Sequence, residues 1–194
     1  MRRPAPKRLL DLLVSAAMTP FAVVVCLLVA VPIWLECRAS PFFWQLRLGH
    51  KERQFKILKL RTMHPDTRQA GSHEVGQDAV LRVGRLVRGL KIDELPQLWN
   101  VLRGEMSLVG PRPGLIVQEE LAEARRHYGV FDLLPGITGI SQVRRIDMST
   151  PWELAKLDAT YATPWKLKTD LAILLKTVTG AGYGDAAATI GKGA

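Results

Sequence analysis

Leu12–Leu35 reads LLVSAAMTPFAVVVCLLVAVPIWL, twenty-four consecutive residues without a charge. As a helix rising about 1.5 Å per residue it measures roughly 36 Å, enough to cross a hydrocarbon core of about 30 Å. The run exceeds the apolar region of a secretory signal, and Glu36-Cys37-Arg38 offers no small-residue cleavage site. Two prolines interrupt it, Pro20 near the middle and Pro32 near the end. Proline removes a backbone donor and clashes with the carbonyl four residues back, so a break is expected at Thr19-Pro20. A helix broken there either crosses the bilayer bent or enters and returns to the same side. The flanks bear on the choice. Arg2, Arg3, Lys7 and Arg8 precede the run; Arg38, Arg47, Lys51 and Arg53 follow it. Basic residues favour the cytoplasmic side, and a re-entrant hairpin satisfies both flanks where one spanning helix satisfies only one. Asp11 stands at helical spacing from Lys7 and close to Arg8, at the entry to the run.

Working outward, residues 1–36 are the expected membrane segment and residues 37–194 one domain on the membrane surface. The chain has 194 residues, 47% hydrophobic and 23% charged, with two cysteines and a formal net charge of +9. This composition excludes a disordered chain, a collagen-like repeat and a disulfide scaffold. The basic excess calls for an anionic partner: nucleic acid, lipid headgroups or phosphorylated substrates. Cys26 lies in the apolar run and reads as a small buried hydrophobe. Residues 55–60 alternate as a strand, 65–80 form a polar loop, and 95–103 form a helix stopped by Gly104. Residues 115–128 form a helix with glutamates early and basic residues late, ended by Gly129. Residues 165–178 form an amphipathic helix suited to a membrane surface or to a core edge. The Gly/Ala-rich tail after Gly180 is expected to fray.

The chemistry concentrates between Arg82 and Arg112. Asp93 and Glu94 are adjacent, and Pro96 places them at the start of the following helix. Such a pair can simply cap the helix. It can also hold Mg²⁺, which takes one or two carboxylates plus substrate phosphates, and an ionised Asp can attack phosphorus. Lys59, Arg61, Arg85, Arg88, Lys91 and Arg112 crowd the neighbouring sequence. Gly110-Pro111-Arg112-Pro113 fixes an arginine between prolines, either as a stiff turn or as a rigid phosphate fork.

The run from Lys91 to Pro113, KIDELPQLWNVLRGEMSLVGPRP, closely resembles the signature of the bacterial sugar transferases, the monotopic phosphoglycosyl transferases. Further resemblances lie in Lys7-Arg8 with Asp11, in Phe43, Gln45, Arg47 and Gly49, and in Phe55 to Met63. Pro135 to Gly139 with Gln142 continues the pattern, and Asp158, Tyr161, Asp170 and Thr177 keep the family's C-terminal spacing. The resemblance implies an α+β, mainly helical fold: a monotopic membrane protein with an N-terminal re-entrant broken helix and a small cytoplasmic catalytic domain carrying few short strands and surface amphipathic helices. It implies transfer of a sugar-1-phosphate from a UDP-sugar to a polyprenyl phosphate, typically undecaprenyl phosphate, with release of UMP, as the first membrane step of surface-glycan synthesis. It implies Asp93 as nucleophile, Mg²⁺ held by Glu94 with Asp93, and Lys59, Arg88 and Arg112 on the diphosphate. Arg61, Gln142 and Arg145 become candidates for a nucleotide or sugar pocket, and Thr19-Pro20 for the membrane helix break. The expected location is the bacterial inner membrane among its lipids, with the active site on the cytoplasmic face.

Some residues depart from the family pattern. The arm from Asp11 to Pro20 is about one helical turn short, Ile140 to Asp147 lacks the usual Trp and Asn-Gly, and Lys166 stands where a Ser is common. The chain is expected to be a minimal catalytic unit, without the multispanning region of some relatives. An exposed amphipathic face suits a homodimer. Two other classes fit the basic, membrane-anchored composition, a non-catalytic partner that keeps the fold and a basic nucleic-acid-binding protein. Intact Asp93, Glu94, Lys59 and Arg112 oppose the first. The second finds no nucleic-acid motif, and the basic residues are interleaved with acids.

Overall fold

Helix α1 runs without interruption from Ala5 to Cys37 in the computed structural model, which describes residues 4–67, 76–161 and 165–179. Residues 68–75 of the expected polar loop, and the tail after Thr179, lie outside the described residues. The expected division into two helices at Thr19-Pro20 is corrected: both Pro20 and Pro32 lie inside one helix. The Thr19 hydroxyl donates to the Ser15 carbonyl at 2.7 Å, so a side chain adds a hydrogen bond within the turn where Pro20 withholds its own. The helix ends at Arg38, which turns left-handed (φ 52°) while its N–H donates to the Trp34 carbonyl.

The burial pattern of α1 inverts that of an ordinary surface helix. Lys7, Asp11, Ser15, Ala22, Cys26 and Ile33 are buried, recurring at intervals of four and seven along one stripe. Leu9, Leu13, Phe21, Val24, Leu28, Val31 and Trp34 are exposed. The polar groups near its start face protein, followed by Ala22, Cys26 and Ile33, while a broad apolar face is left outward, as lipid-exposed helices require. The helix is long and apolar enough to cross a membrane.

Strands β1 (Phe42–Leu48) and β2 (Gln54–Leu60) pair antiparallel, with Phe42 opposite Leu60 and Leu48 opposite Gln54. Two further strands are β3 (Ser107–Val109) and β4 (Gly114–Leu115); β4 joins the free edge of β1. β5 (Gly136–Thr138) pairs parallel with β3. Helices α2 (Arg82–Gly89), α3 (Leu98–Arg103), α4 (Glu119–His127), α5 (Ile140–Val143), α6 (Pro151–Ala159) and α7 (Leu167–Val178) surround these sheets. The helix expected over 95–103 is thus six residues of α3 behind a 3-10 turn, Ile92–Gln97, that carries both carboxylates. The one expected over 115–128 starts at Glu119, because Gly114–Leu115 is drawn into β1's sheet. Gly129 follows α4 at φ 67°, a conformation that costs glycine no Cβ strain. In α7, Asp170 and Ile173 turn inward while Leu167, Leu171, Leu175 and Val178 stay exposed.

α1 shares its cores with the domain. Ala22 packs with Ile57, Leu98, Val101 and Met106; Cys26 and Ile33 pack with Leu60, Leu81 and Val87. Its polar residues grip the elements that lead to the carboxylates. Asp11 accepts from the Ser107 hydroxyl (2.8 Å) and the Leu108 N–H (3.0 Å), and Arg8 donates to the Val101 and Leu102 carbonyls at the end of α3. Lys7 donates to the Val109 carbonyl (3.0 Å), the Tyr161 hydroxyl (2.8 Å) and Asp170 of α7 (2.8 Å). At the far end, Glu36 accepts the Arg82 and Val83 N–H groups at 2.6 and 3.0 Å, supplying the cap that Leu81 cannot.

Candidate active site

Asp93 and Glu94 sit in the 3-10 turn that opens α3, directly after Lys91, a non-glycine residue at φ 57°. A left-handed lysine is strained backbone, and such strain concentrates at functional sites. The turn packs on β2, which brings Lys59 Nζ to 3.8 Å from Glu94 Oε1. The loop after β3 brings Arg112 Nη2 to 2.5 Å from the same oxygen. From α2, Arg88 donates through Nε to the Thr62 hydroxyl at 2.8 Å, while its Nη1 is buried without a hydrogen-bond partner. α2 comes this close because position 84 is glycine: a Cβ there would collide with the Thr62 carbonyl oxygen, and Arg88 lies one turn further along the same face.

The electrostatics follow from crowding and burial. Burial, then the neighbouring Glu94 charge, pushes the Asp93 carboxyl up to about 6, against the pull of Lys59, Arg88 and Arg112. Burial, then Arg112, pulls Lys59 down to about 8, with Glu94 opposing. Lys91 is lowered as well, chiefly by burial. Three cations from three separate elements therefore face one pair of carboxylates in a poorly hydrated place. Burial and the crowding of like charges set the cost of this arrangement, and Arg88 Nη1 keeps one buried donor without a partner.

Among the described residues no cluster of three or more His, Cys, Asp or Glu could hold a metal by itself. Two adjacent carboxylates are nevertheless a donor set that Mg²⁺ accepts when phosphate oxygens complete its sphere. Glu94 and Asp93 fit that pattern.

The structure brings together Lys59, Arg88, Asp93, Glu94 and Arg112. The remaining candidates have contacts elsewhere. Arg61 donates to the Ser40 carbonyl at 2.7 Å and lies over the Phe43 ring. Gln142 donates to the Ile137 carbonyl at 3.0 Å, with its Oε1 buried and unpartnered. Arg145 follows α5 at φ 61°, its N–H on the Gln142 carbonyl. Thr19 and Pro20 lie within α1. The sequence assigned no role to Thr62, and placed Arg47 only in the basic flank and the family pattern. Thr62 follows Arg61 at the end of the β2 signature, and its hydroxyl fixes Arg88. Arg47 lies in the F-x-Q-x-R-x-G pattern and supports the arginine loop by donating to the Pro113 carbonyl at 3.0 Å.

The family model of bacterial sugar transferases matches residues 2–182, nearly the whole chain. The chain belongs to the bacterial sugar transferase family. Within that family it is similar to the UDP-glucose:undecaprenyl-phosphate glucose-1-phosphate transferase of Caulobacter vibrioides, 43% identical over 184 residues, covering 89% of this chain and 68% of the relative. It is 37% identical to the undecaprenyl-phosphate glucose phosphotransferase of Komagataeibacter xylinus, covering 89% of this chain but only 35% of that longer protein. It is also 37% identical to the exopolysaccharide production protein ExoY of Rhizobium meliloti, covering 89% of this chain and 83% of the relative. These sugar transferases share one acceptor in their names, undecaprenyl phosphate, where an acceptor is named.

Proposed function

We propose that this sugar transferase moves a sugar-1-phosphate from a UDP-sugar to undecaprenyl or another polyprenyl phosphate, releasing UMP, in the first membrane step of surface-glycan synthesis. The observation that carries the reading is the buried Asp93 carboxylate ringed by Lys59, Arg88 and Arg112, with one guanidinium nitrogen unpartnered. A nucleic-acid binder has no use for a buried carboxylate inside such a cluster of cations on an apolar helical scaffold. A phosphoryl transfer from a soluble diphosphate to a lipid phosphate through a carboxylate nucleophile uses each part.

The chemistry then follows. Arg88, Arg112 and Lys59 neutralise the diphosphate so that an anionic nucleophile can approach it. One Asp93 oxygen attacks the β-phosphorus, and the bond from that phosphorus to the bridging oxygen breaks, with the electron pair leaving on UMP. The sugar-phosphate is then an acyl phosphate on Asp93. An oxygen of the polyprenyl phosphate attacks the same phosphorus and returns the carboxylate, giving a polyprenyl-diphospho-sugar. Glu94, with Asp93, would hold Mg²⁺, which when bound would neutralise charge on the phosphate oxygens.

Membrane placement is supported by the fastening of α1. Lys7 near its start is tied to Asp170, and Glu36 near its end is tied to α2. A domain on one side of a bilayer can hold both ends only if both lie on that side. This supports a placement of α1 with both ends on one face of the bilayer, and of the domain that follows it at the cytoplasmic face of the inner membrane, where the basic flanks belong.

The test is UMP release by detergent-purified protein with Mg²⁺ and a panel of UDP-sugars, with and without undecaprenyl phosphate. Release with at least one sugar, lost in Asp93→Asn, is expected. No release with any donor from folded protein would overturn the reading.

A further inference from the structure

The loop that presents Arg112 is held by its main chain. Pro111 and Pro113 leave it few N–H groups, and it lies outside regular strand, so its carbonyls need donors from elsewhere. Pro111's carbonyl takes the Gly136 N–H at 2.8 Å, and Pro113's takes Arg47. Arg112's own carbonyl takes Arg125 Nη2 of α4 at 2.6 Å. Arg125 is 3% exposed, far from the solvated, dipole-complementing role its place late in α4 suggests. The same nitrogen is 3.4 Å from Asp158 Oδ2, and the Ser141 hydroxyl donates to Asp158 Oδ1 at 2.6 Å. Arg125 Nε is left without a partner.

A buried ion pair of this kind is a poor way to stabilise a fold, since apolar residues of similar volume do as well or better. Its orientation explains it. The guanidinium sacrifices one hydrogen bond to reach the carbonyl of the residue whose side chain contacts Glu94.

We infer that Arg125, fixed by Asp158 and Ser141, is a positioning residue that sets the backbone of Arg112 and so aims the Arg112 guanidinium at Glu94 and the substrate phosphate. This rests on the phosphate-binding role of Arg112 proposed above. Lysine keeps the charge, but its ammonium ends about where the arginine Cζ lies, short of the Nη2 position that meets both the Arg112 carbonyl and Asp158.

The experiment uses full-length protein in detergent with Arg125→Lys, read two ways. Backbone hydrogen exchange of the 107–115 segment is expected to quicken while α1 and α2 keep wild-type exchange. Turnover of UDP-sugar is expected to fall roughly ten- to hundredfold, the scale of a misaimed group. In an Arg112→Lys background the same change is expected to cost less than about twofold, because neighbours acting through one group are not additive. Unchanged exchange at 107–115, exchange raised across the whole domain, or a full additional loss in the Arg112→Lys background would each overturn the proposal. If wild type turns over no UDP-sugar, the function fails but the exchange result still decides the positioning. Should Arg125→Lys not fold, Ser141→Ala, which removes one hydroxyl from Asp158, answers in the same readouts.

Discussion

At the residue scale, Asp93 and Lys59 have been moved toward each other in pKa by one environment. Asp93 stands at about 6 and Lys59 at about 8, each displaced first by burial. Asp93 acts as the anion, so activity rises as pH passes upward through about 6. Lys59 acts as the cation, so activity falls as pH passes upward through about 8. The expected kcat/KM profile is a bell between these limbs, which belong to the coupled cluster as a whole. In Lys59→Arg the alkaline limb is expected to move out of range, since a guanidinium stays charged. An alkaline limb persisting near 8 in that variant would assign it to another group. The carboxylates, Lys59 and Arg112 were legible in the sequence because they stand in a dense local signature. Arg125 was not, because its partners, the Arg112 carbonyl and Asp158, lie 13 positions back and 33 positions further on, and late-helix arginines read as solvated.

At the element scale, α1 is the part the sequence described least completely. Its length and apolar character were plain from Leu12–Leu35, and its two prolines suggested a division. The helix absorbs Pro20, and its polar entry residues serve the interior: Lys7 and Asp11 clasp β3 from either end. No local pattern reveals that the partner of Lys7 is Asp170 of α7, 163 positions away. Lys7→Met leaves Asp170 buried with a charge that, among the described residues, the Tyr161 hydroxyl and the Trp165 N–H are left to answer. Breaking one side of a buried pair costs about 3–5 kcal/mol. The thermal midpoint in detergent is therefore expected to fall by roughly 10 °C. A shift under about 2 °C would mean the ammonium contributes little net stability at this site. The short strands β3, β4 and β5 were likewise missed, because two or three residues carry no alternation and are defined only by tertiary pairing.

At the scale of the whole molecule, the α+β, mainly helical class was legible, while the disposition of α1 against the domain was not. Periodicity marks a face as apolar but does not say whether protein or lipid covers it. Here Lys7, Asp11 and Ser15 face the protein and leucines and valines face outward. With both ends of α1 tied to one domain, Ala5→Cys and Ser40→Cys, each introduced after Cys26→Ala and Cys37→Ser, are expected to behave alike. Both should resist a membrane-impermeant thiol reagent in intact cells and both react in inverted vesicles; labelling of one alone in intact cells would indicate a single span. The proposed reaction turns on what Asp93 does. The most direct measurement is the intact mass of the protein after incubation with Mg²⁺ and an accepted UDP-sugar in the absence of lipid acceptor. A sugar-phosphate adduct mapped to Asp93, absent in Asp93→Asn and discharged by undecaprenyl phosphate, is the predicted result. Full turnover in the presence of lipid, with no adduct at any time in its absence, would contradict it and assign the attack to the lipid phosphate itself.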